Sequence, residues 1–221
     1  MDVVLISTYE LGHQPFGLAS PAAWLKAVGA RVACLDLAVQ AFEPEAIARA
    51  GLVAIYVPMH TATRLAATVI SQVREANPTA HICCYGLYAP LNEPFLRRLG
   101  AATILGGEFE SGLVALYQRL SAAQVASHKS QEGIDNATCD LRPATCDQIE
   151  PRISLARQAF LTPDRGGLPG LSAYAYVELG DGERRTAGYT EASRGCKHLC
   201  RHCPIVPVYG GRFRVVGRAV V

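Results

Sequence analysis

Three cysteines, Cys196, Cys200 and Cys203, stand at C-x3-C-x2-C near the C-terminal end of the sequence. Thiolates this close together on one loop can converge on a single metal centre. Three of them satisfy three irons of a [4Fe–4S] cube and leave the fourth iron open, whereas a purely electron-carrying cluster normally uses four. An open coordination position is what a catalytic metal site needs and a structural one avoids. The competing chemistry is a zinc knuckle, a closed Cys3His site completed by His198 or His202. Zinc ribbons pair ligands across a longer loop, and no second C-x2-C or H-x3-H follows here. The plainest reading is a set of free thiols. The chain has eight cysteines and no secretory signal, which points to a reducing compartment where disulfides are rare.

Composition bounds what can surround such a loop. The chain has 221 residues, half of them hydrophobic, a length that fits one full α/β domain plus a fragment, or two small domains. The net charge of +2 gives no strong field for nucleic acid or for an anionic membrane, so neither is expected as a partner. Met1-Asp2 runs directly into Val3-Val4-Leu5-Ile6 without a basic segment, so the start does not read as a signal peptide. No apolar run is long enough to span a bilayer. The expected location is cytoplasmic.

The first 120 residues alternate short apolar runs with helical patterns. Strands are expected at 3–6, 31–37, 52–58, 81–85 and 102–105, because these runs are aliphatic or β-branched with no polar alternation. Helices are expected at 22–28, with Ser20 as N-cap and Pro21 at its first position, and at 44–50, closed by Gly51. Three more follow at 64–76 (apolar at Leu65, Val69 and Val73), 93–99 and 110–120. Five strands alternating with helices imply α/β architecture, a flavodoxin- or Rossmann-like doubly wound parallel sheet. Ligands in such sheets bind at the carboxyl ends of the strands, where strand order reverses. Those ends hold Thr8, Gly12, His13 and Gly17 after the first strand and Thr61 and Thr63 after the third. Gly86 follows the fourth, and Gly107 and Glu108 follow the fifth. These nine are the candidate cofactor-binding residues.

The segment Ser193-Arg194-Gly195-Cys196-Lys197-His198-Leu199-Cys200-Arg201-His202-Cys203-Pro204 resembles the radical S-adenosylmethionine (radical SAM) superfamily. His202 takes the position that is often aromatic in that family. The resemblance implies that Cys196, Cys200 and Cys203 ligate a [4Fe–4S] cluster. It implies that the open iron is chelated by the amino and carboxylate groups of SAM, and that one electron cleaves SAM to methionine and a 5′-deoxyadenosyl radical. A one-electron donor such as flavodoxin or ferredoxin is then implied, together with a substrate of unknown identity. Arg194, Lys197 and Arg201 would place cations near a net-negative cluster; as ordinary surface residues they are only solvated charge.

Residues 1–122 resemble the cobalamin-binding domain that precedes many radical SAM barrels. The matching residues are Pro15-x-Gly17-Leu18, Thr61-Ala62-Thr63 and Gly106-Gly107-Glu108-Phe109-Glu110. The D-x-H-x-x-G motif that supplies a lower axial histidine is absent, so cobalamin is expected without a protein histidine on cobalt. A domain of the same shape that binds nothing is the alternative, since fold alone does not give function. Gly106-Gly107-Glu108 also spells a segment that contacts SAM in radical SAM barrels. There it follows the cysteines, whereas here it precedes them, so it is not assigned to SAM. The run C-P-I-x-P-x-Y-x-G-R-x-R from Cys203, with the opening S-T-Y-E-L-G-H-Q-P-F-G-L, is similar to the subgroup carrying a Cys-Cys/Sec-Ala-Glu-Pro tail, although no such tail occurs here.

Residues 123–185 read as a connector. Its polar start, 121–136, looks exposed, and Cys139 and Cys146 lack metal-ligand spacing. A hairpin is expected from 174–179 through Gly180-Asp181-Gly182-Glu183 into 184–189. Residues 186–221 then read as the start of a radical SAM barrel, with 187–193 its first strand and the cysteine loop at that strand's carboxyl end. A full barrel needs several further βα units of roughly 30 residues each. One barrel strand cannot bury both faces, so the segment beyond about 185 is expected to be poorly ordered. The whole chain reads as the N-terminal portion of a larger enzyme, inactive alone, with a zinc-knuckle binding module and a non-functional gene remnant as the alternatives.

Overall fold

The computed structural model describes residues 1–132 and 150–221. Cys139 and Cys146 lie outside the described residues, as do the other residues of the expected connector between 133 and 149.

β1 (Asp2–Ser7), β2 (Arg31–Asp36), β3 (Ala50–Tyr56), β4 (His81–Tyr85) and β5 (Thr103–Gly107) form a parallel sheet. The order is β2-β1-β3-β4-β5-β6, so strand order reverses between β1 and β3. β6 (Ile153–Ser154) is a sixth parallel strand that the sequence pattern did not announce, because two residues carry no periodicity. α1 (Phe16–Ala27) and α5 (Phe109–Glu132) cover one face, burying Leu18, Leu25, Leu113 and Leu116 against Leu5, Leu52 and Leu105. α2 (Pro44–Ala48), α3 (His60–Ala76) and α4 (Glu93–Arg98) cover the other, over Ile6, Val53, Ile55, Ile82 and Ile104. Among the described residues no helix is long and apolar enough to cross a membrane.

Three local expectations are corrected. α1 begins at Phe16, four residues before Ser20, so Pro21 lies inside the helix. A proline there frees the carbonyl four residues back. That carbonyl belongs to Gly17, and the buried Tyr85 hydroxyl donates to it at 2.8 Å. Ser20 is thereby released from capping and donates to Glu110 instead. Gly51 does not close α2 but lies within β3. Leu65 is 44% exposed, because the stripe α3 buries runs through Ala62, Ala66, Val69, Ile70 and Val73.

After β6 the chain crosses the carboxyl edge of the sheet. β7 (Tyr176–Glu178) and β8 (Arg184–Thr186) form the hairpin, shorter than its pattern suggested. Residues 187–192 are not a strand; the extended pairing starts only at β9 (Ser193–Gly195), antiparallel to β10 (Phe213–Val215). Side chains hold that stretch instead: Arg165 Nη2 donates to the Tyr189 carbonyl, and the Tyr189 ring stacks on His13 at 3.8 Å. Between β9 and β10 lie the cysteine loop and the single-turn α6 (Val206–Tyr209). Val208, Tyr209 and Val216 are buried, so this segment packs against the sheet domain rather than standing free.

Candidate functional site

The cysteine loop is fixed at its base. Gly195 has φ +73, and a Cβ there would lie 2.2 Å from the Arg212 carbonyl oxygen, so only glycine fits. The next residue, Cys196, donates its N–H to that same carbonyl. Cys203 N–H bonds the Cys200 carbonyl, turning the loop back on itself. All three cysteines are free thiols; Cys200 is exposed and the other two half-buried. Among the described residues no three His, Cys, Asp or Glu side chains are gathered as ligands of one metal ion. Three free thiols on one short loop are donors of the type a [4Fe–4S] cube takes.

Arg194, immediately before Gly195, does not face the cysteines. Its side chain is 5% exposed and is gripped by three carboxylates. It donates to both oxygens of Glu110 (2.5 and 2.8 Å), to Glu191 (3.0 Å) and to Glu108 (3.3 Å). Its guanidinium also lies 5.1 Å from the Phe109 ring centroid and 5.2 Å from that of Phe160. Ser20 and Gln158 add hydrogen bonds to Glu110, which is fully buried. Burial alone would raise the Glu110 carboxyl, but the Arg194 cation and these donors hold it below its usual range. At Glu108 and Glu191 burial prevails over Arg194, and both are raised. One cation thus serves three acids and holds one firmly ionised. The expectation that Arg194 adds positive charge beside the cysteines is corrected, since its charge is spent on Glu110; Lys197 and Arg201 remain exposed.

Between this segment and the sheet lies a cavity of about 350 Å³. Its floor is the carboxyl edge of the sheet: Glu10 and His13 after β1, Tyr56 ending β3 with Pro58 and Met59 beyond it, Leu87 after β4, Gly107 ending β5 and Phe109 opening α5. Its roof is Tyr189, Glu191, Ser193, Arg194, Gly195, Ile205 and Tyr209. The Tyr209 hydroxyl donates to the Gly107 carbonyl across it, at 3.3 Å. The cavity sits where strand order reverses, the place α/β sheets use for ligands.

Of the sequence-derived residues, the structure brings His13 and Gly107 to this cavity. Thr8 and Thr63 turn their hydroxyls to backbone carbonyls, of Ala62 and Met59, while Thr61 is exposed in the first turn of α3. Gly17 and Gly86 are packing glycines: a Cβ on either would strike the Tyr56 ring, at 2.0 and 2.9 Å. Gly107 (φ +71) abuts the Ser154 carbonyl, and the Gly12 carbonyl accepts from Ala175 N–H. Glu108 is 1% exposed in the Arg194 cluster. Sequence reasoning missed Glu10, which is 6% exposed with its Oε2 unpartnered. Burial, with Glu191 nearby, raises its carboxyl to about 9. A lone acid in a turn-rich loop offers no pattern that could have flagged it.

No protein-family model and no curated protein matches the chain. Solved structures do. The radical S-adenosylmethionine methyltransferase TsrM from Kitasatospora setae, with cobalamin and a [4Fe–4S] cluster bound, matches with a TM-score of 0.61 and 17% identity. That match covers 100% of this chain and 45% of TsrM. TsrM with tryptophan substrate and a SAM analogue bound gives 0.59 and 18%, over 99% of this chain and 44% of that one. A flavodoxin-like domain from a Synechococcus species matches 58% of this chain at a TM-score of 0.43 and 20% identity. The likeness is one of fold. It runs through the sheet domain and on through the cysteine segment, and this chain spans less than half the length of the enzyme it matches.

Proposed function

We propose that this chain is the corrinoid- and cluster-binding portion of a radical SAM enzyme. The observation that carries the reading is the two-walled cavity. Its floor is the ligand-binding edge of the sheet, and its roof includes Gly195, the residue before Cys196. A ligand in the cavity and a metal centre on the cysteines would be neighbours. Support comes from the shared fold with TsrM, which binds cobalamin and a [4Fe–4S] cluster.

In this reading Cys196, Cys200 and Cys203 hold three irons and leave the fourth open for SAM. When bound, the cluster supplies the electron that cleaves SAM, and the corrinoid supplies a carrier for a methyl group. The chain's own residues do the positioning. Arg194, locked to Glu110, fixes the base of the cysteine loop against α5. Tyr56, Phe109 and Tyr189 present apolar ring surface to the cavity and keep water from it. His13 is stacked on Tyr189, and a corrinoid held here would meet the His13 ring at the edge of the cavity. A flavodoxin- or ferredoxin-like donor delivers the electron.

The test is anaerobic reconstitution of the 221-residue chain with iron and sulfide. The expected result is visible charge-transfer absorbance that is lost on substituting Cys196, Cys200 or Cys203 by Ala. Retention of equimolar zinc in place of iron, under aerobic and anaerobic preparation alike, would sink the cluster reading and favour the zinc knuckle.

A further inference from the structure

The polar corner of the cavity carries more information than its position. Glu10 and His13 lie on one turn, closed by a hydrogen bond from His13 N–H to the Glu10 carbonyl at 3.2 Å. Both residues line the cavity. Glu10 Oε2 and His13 Nδ1 are each buried with no hydrogen-bond partner. An unpartnered buried polar atom costs roughly 1–3 kcal/mol and persists where something else repays it.

The chemistry of the absent partner can be read from the surroundings. The backbone N–H groups of Gly17 and Phe16, at the start of α1, already serve the Glu10 carboxyl. The charged groups around it are Glu191 and Asp36, which oppose its ionisation, and the Arg165 cation, which is engaged with Gln14 and the Tyr189 carbonyl. Burial and these neighbouring acids favour the neutral form of Glu10, and its buried Oε2 has no hydrogen-bond partner. A carboxylic acid in this state pairs with a primary amide through two parallel hydrogen bonds, one in each direction. A ligand carboxylate would instead bring a further acid up to Glu10 and Glu191, which both line the cavity.

We propose that the Glu10–His13 turn is the subsite for an uncharged primary amide of the ligand, set at the periphery of the bound macrocycle. This rests on the corrinoid reading, since a corrin ring is fringed with acetamide and propionamide arms. It adds which edge of the cavity takes such an arm and why the acid forms of the same ring are refused. The volume of about 350 Å³ suits the edge of a macrocycle rather than the whole.

The test needs no cluster and no turnover. The full chain is titrated with cobinamide, whose arms are amides, and with cobyrinic acid, whose arms are carboxylates, following corrin absorbance at pH 7. Cobinamide should bind at least about tenfold more tightly. Glu10→Gln keeps a group that can pair with an amide and should change cobinamide affinity less than about threefold, while Glu10→Leu and His13→Ala should each weaken it about tenfold. If both corrinoids bind equally and Glu10→Leu is without effect, the amide subsite is wrong and the corrinoid reading stands. If neither binds, both are wrong.

Discussion

Replacing Arg194 by Met should destabilise the protein by about 3–5 kcal/mol at neutral pH, the usual cost of removing one partner from a buried ion pair. Arg194 supplies both ends of a fork to Glu110, whose side chain is fully buried. Met restores the aliphatic contact with Phe109 and Phe160 but leaves Glu110 with only Ser20 and Gln158 as donors, beside Glu108 and Glu191. The carboxylate must then be desolvated without compensation or take up a proton. In the native protein Glu110 is depressed below its ordinary value, so its contribution is present above that value and is lost only as pH falls through the folded pKa. Without Arg194 burial dominates and the folded pKa is raised, so stability is lost as pH rises above the ordinary carboxylate range. Urea unfolding followed by the fluorescence of the single tryptophan, Trp24 in α1, measures this at pH 5 and pH 7.5. The Arg194→Met penalty should be larger at pH 7.5 than at pH 5. The double variant Arg194→Met/Glu110→Met should recover most of it, because well-packed apolar residues replace buried ion pairs at little net cost. A penalty under about 1 kcal/mol, one equal at both pH values, or a double variant as unstable as the single would refute the assignment.

Three further outcomes are expected. Gly195→Ala places a methyl 2.2 Å from the Arg212 carbonyl at positive φ, so it should lower iron incorporation into the reconstituted loop and reduce stability by about 1–3 kcal/mol in Trp24-detected urea unfolding. Glu10→Gln removes a carboxyl raised to about 9, whose protonated form is the one the fold favours. Native stability should therefore decline relative to the variant as pH rises from 5 towards 9, by about 1.4 kcal/mol per unit at most, read from urea midpoints. Asn77→Ala removes an 8% exposed side chain that donates to the Ile47, Ala48 and Ala50 carbonyls and accepts from Thr79; thermal and urea unfolding should show a loss of about 2–4 kcal/mol.

The strands of the sheet were legible because burial on both faces demands continuous aliphatic runs, and such runs have few other uses. β1 to β5 accordingly fall within a few residues of their sequence-derived positions. Helix starts were less legible, because the cues that mark them are local and can be outbid by tertiary bonds. Ser20-Pro21 carries the cues of an N-terminus, yet Tyr85, 68 positions from Gly17, makes an interior proline tolerable. The cysteine loop stood out as a candidate from its spacing and flanks together. The clamp behind it did not, since Arg194 and Glu110 are 84 residues apart and their pairing depends on how β5 and β9 are placed.

The segment Gly106-Gly107-Glu108-Phe109-Glu110 shows why position outweighs motif. As a string it suits a cofactor-binding turn or a SAM contact. In the fold, β5 ends at Gly107 and α5 starts at Phe109, so the two acids leave the sheet edge together and point under the roof of the cavity. There they meet Arg194 rather than a ligand. What remains for the ligand from this turn is the backbone of Gly107 and the face of Phe109. The acidic pair thus bears on the cysteine loop through Arg194. If the cluster and corrinoid bind as proposed, loss of Glu110 should disturb both through the placement of one arginine, whereas loss of Glu10 should disturb only the corrinoid.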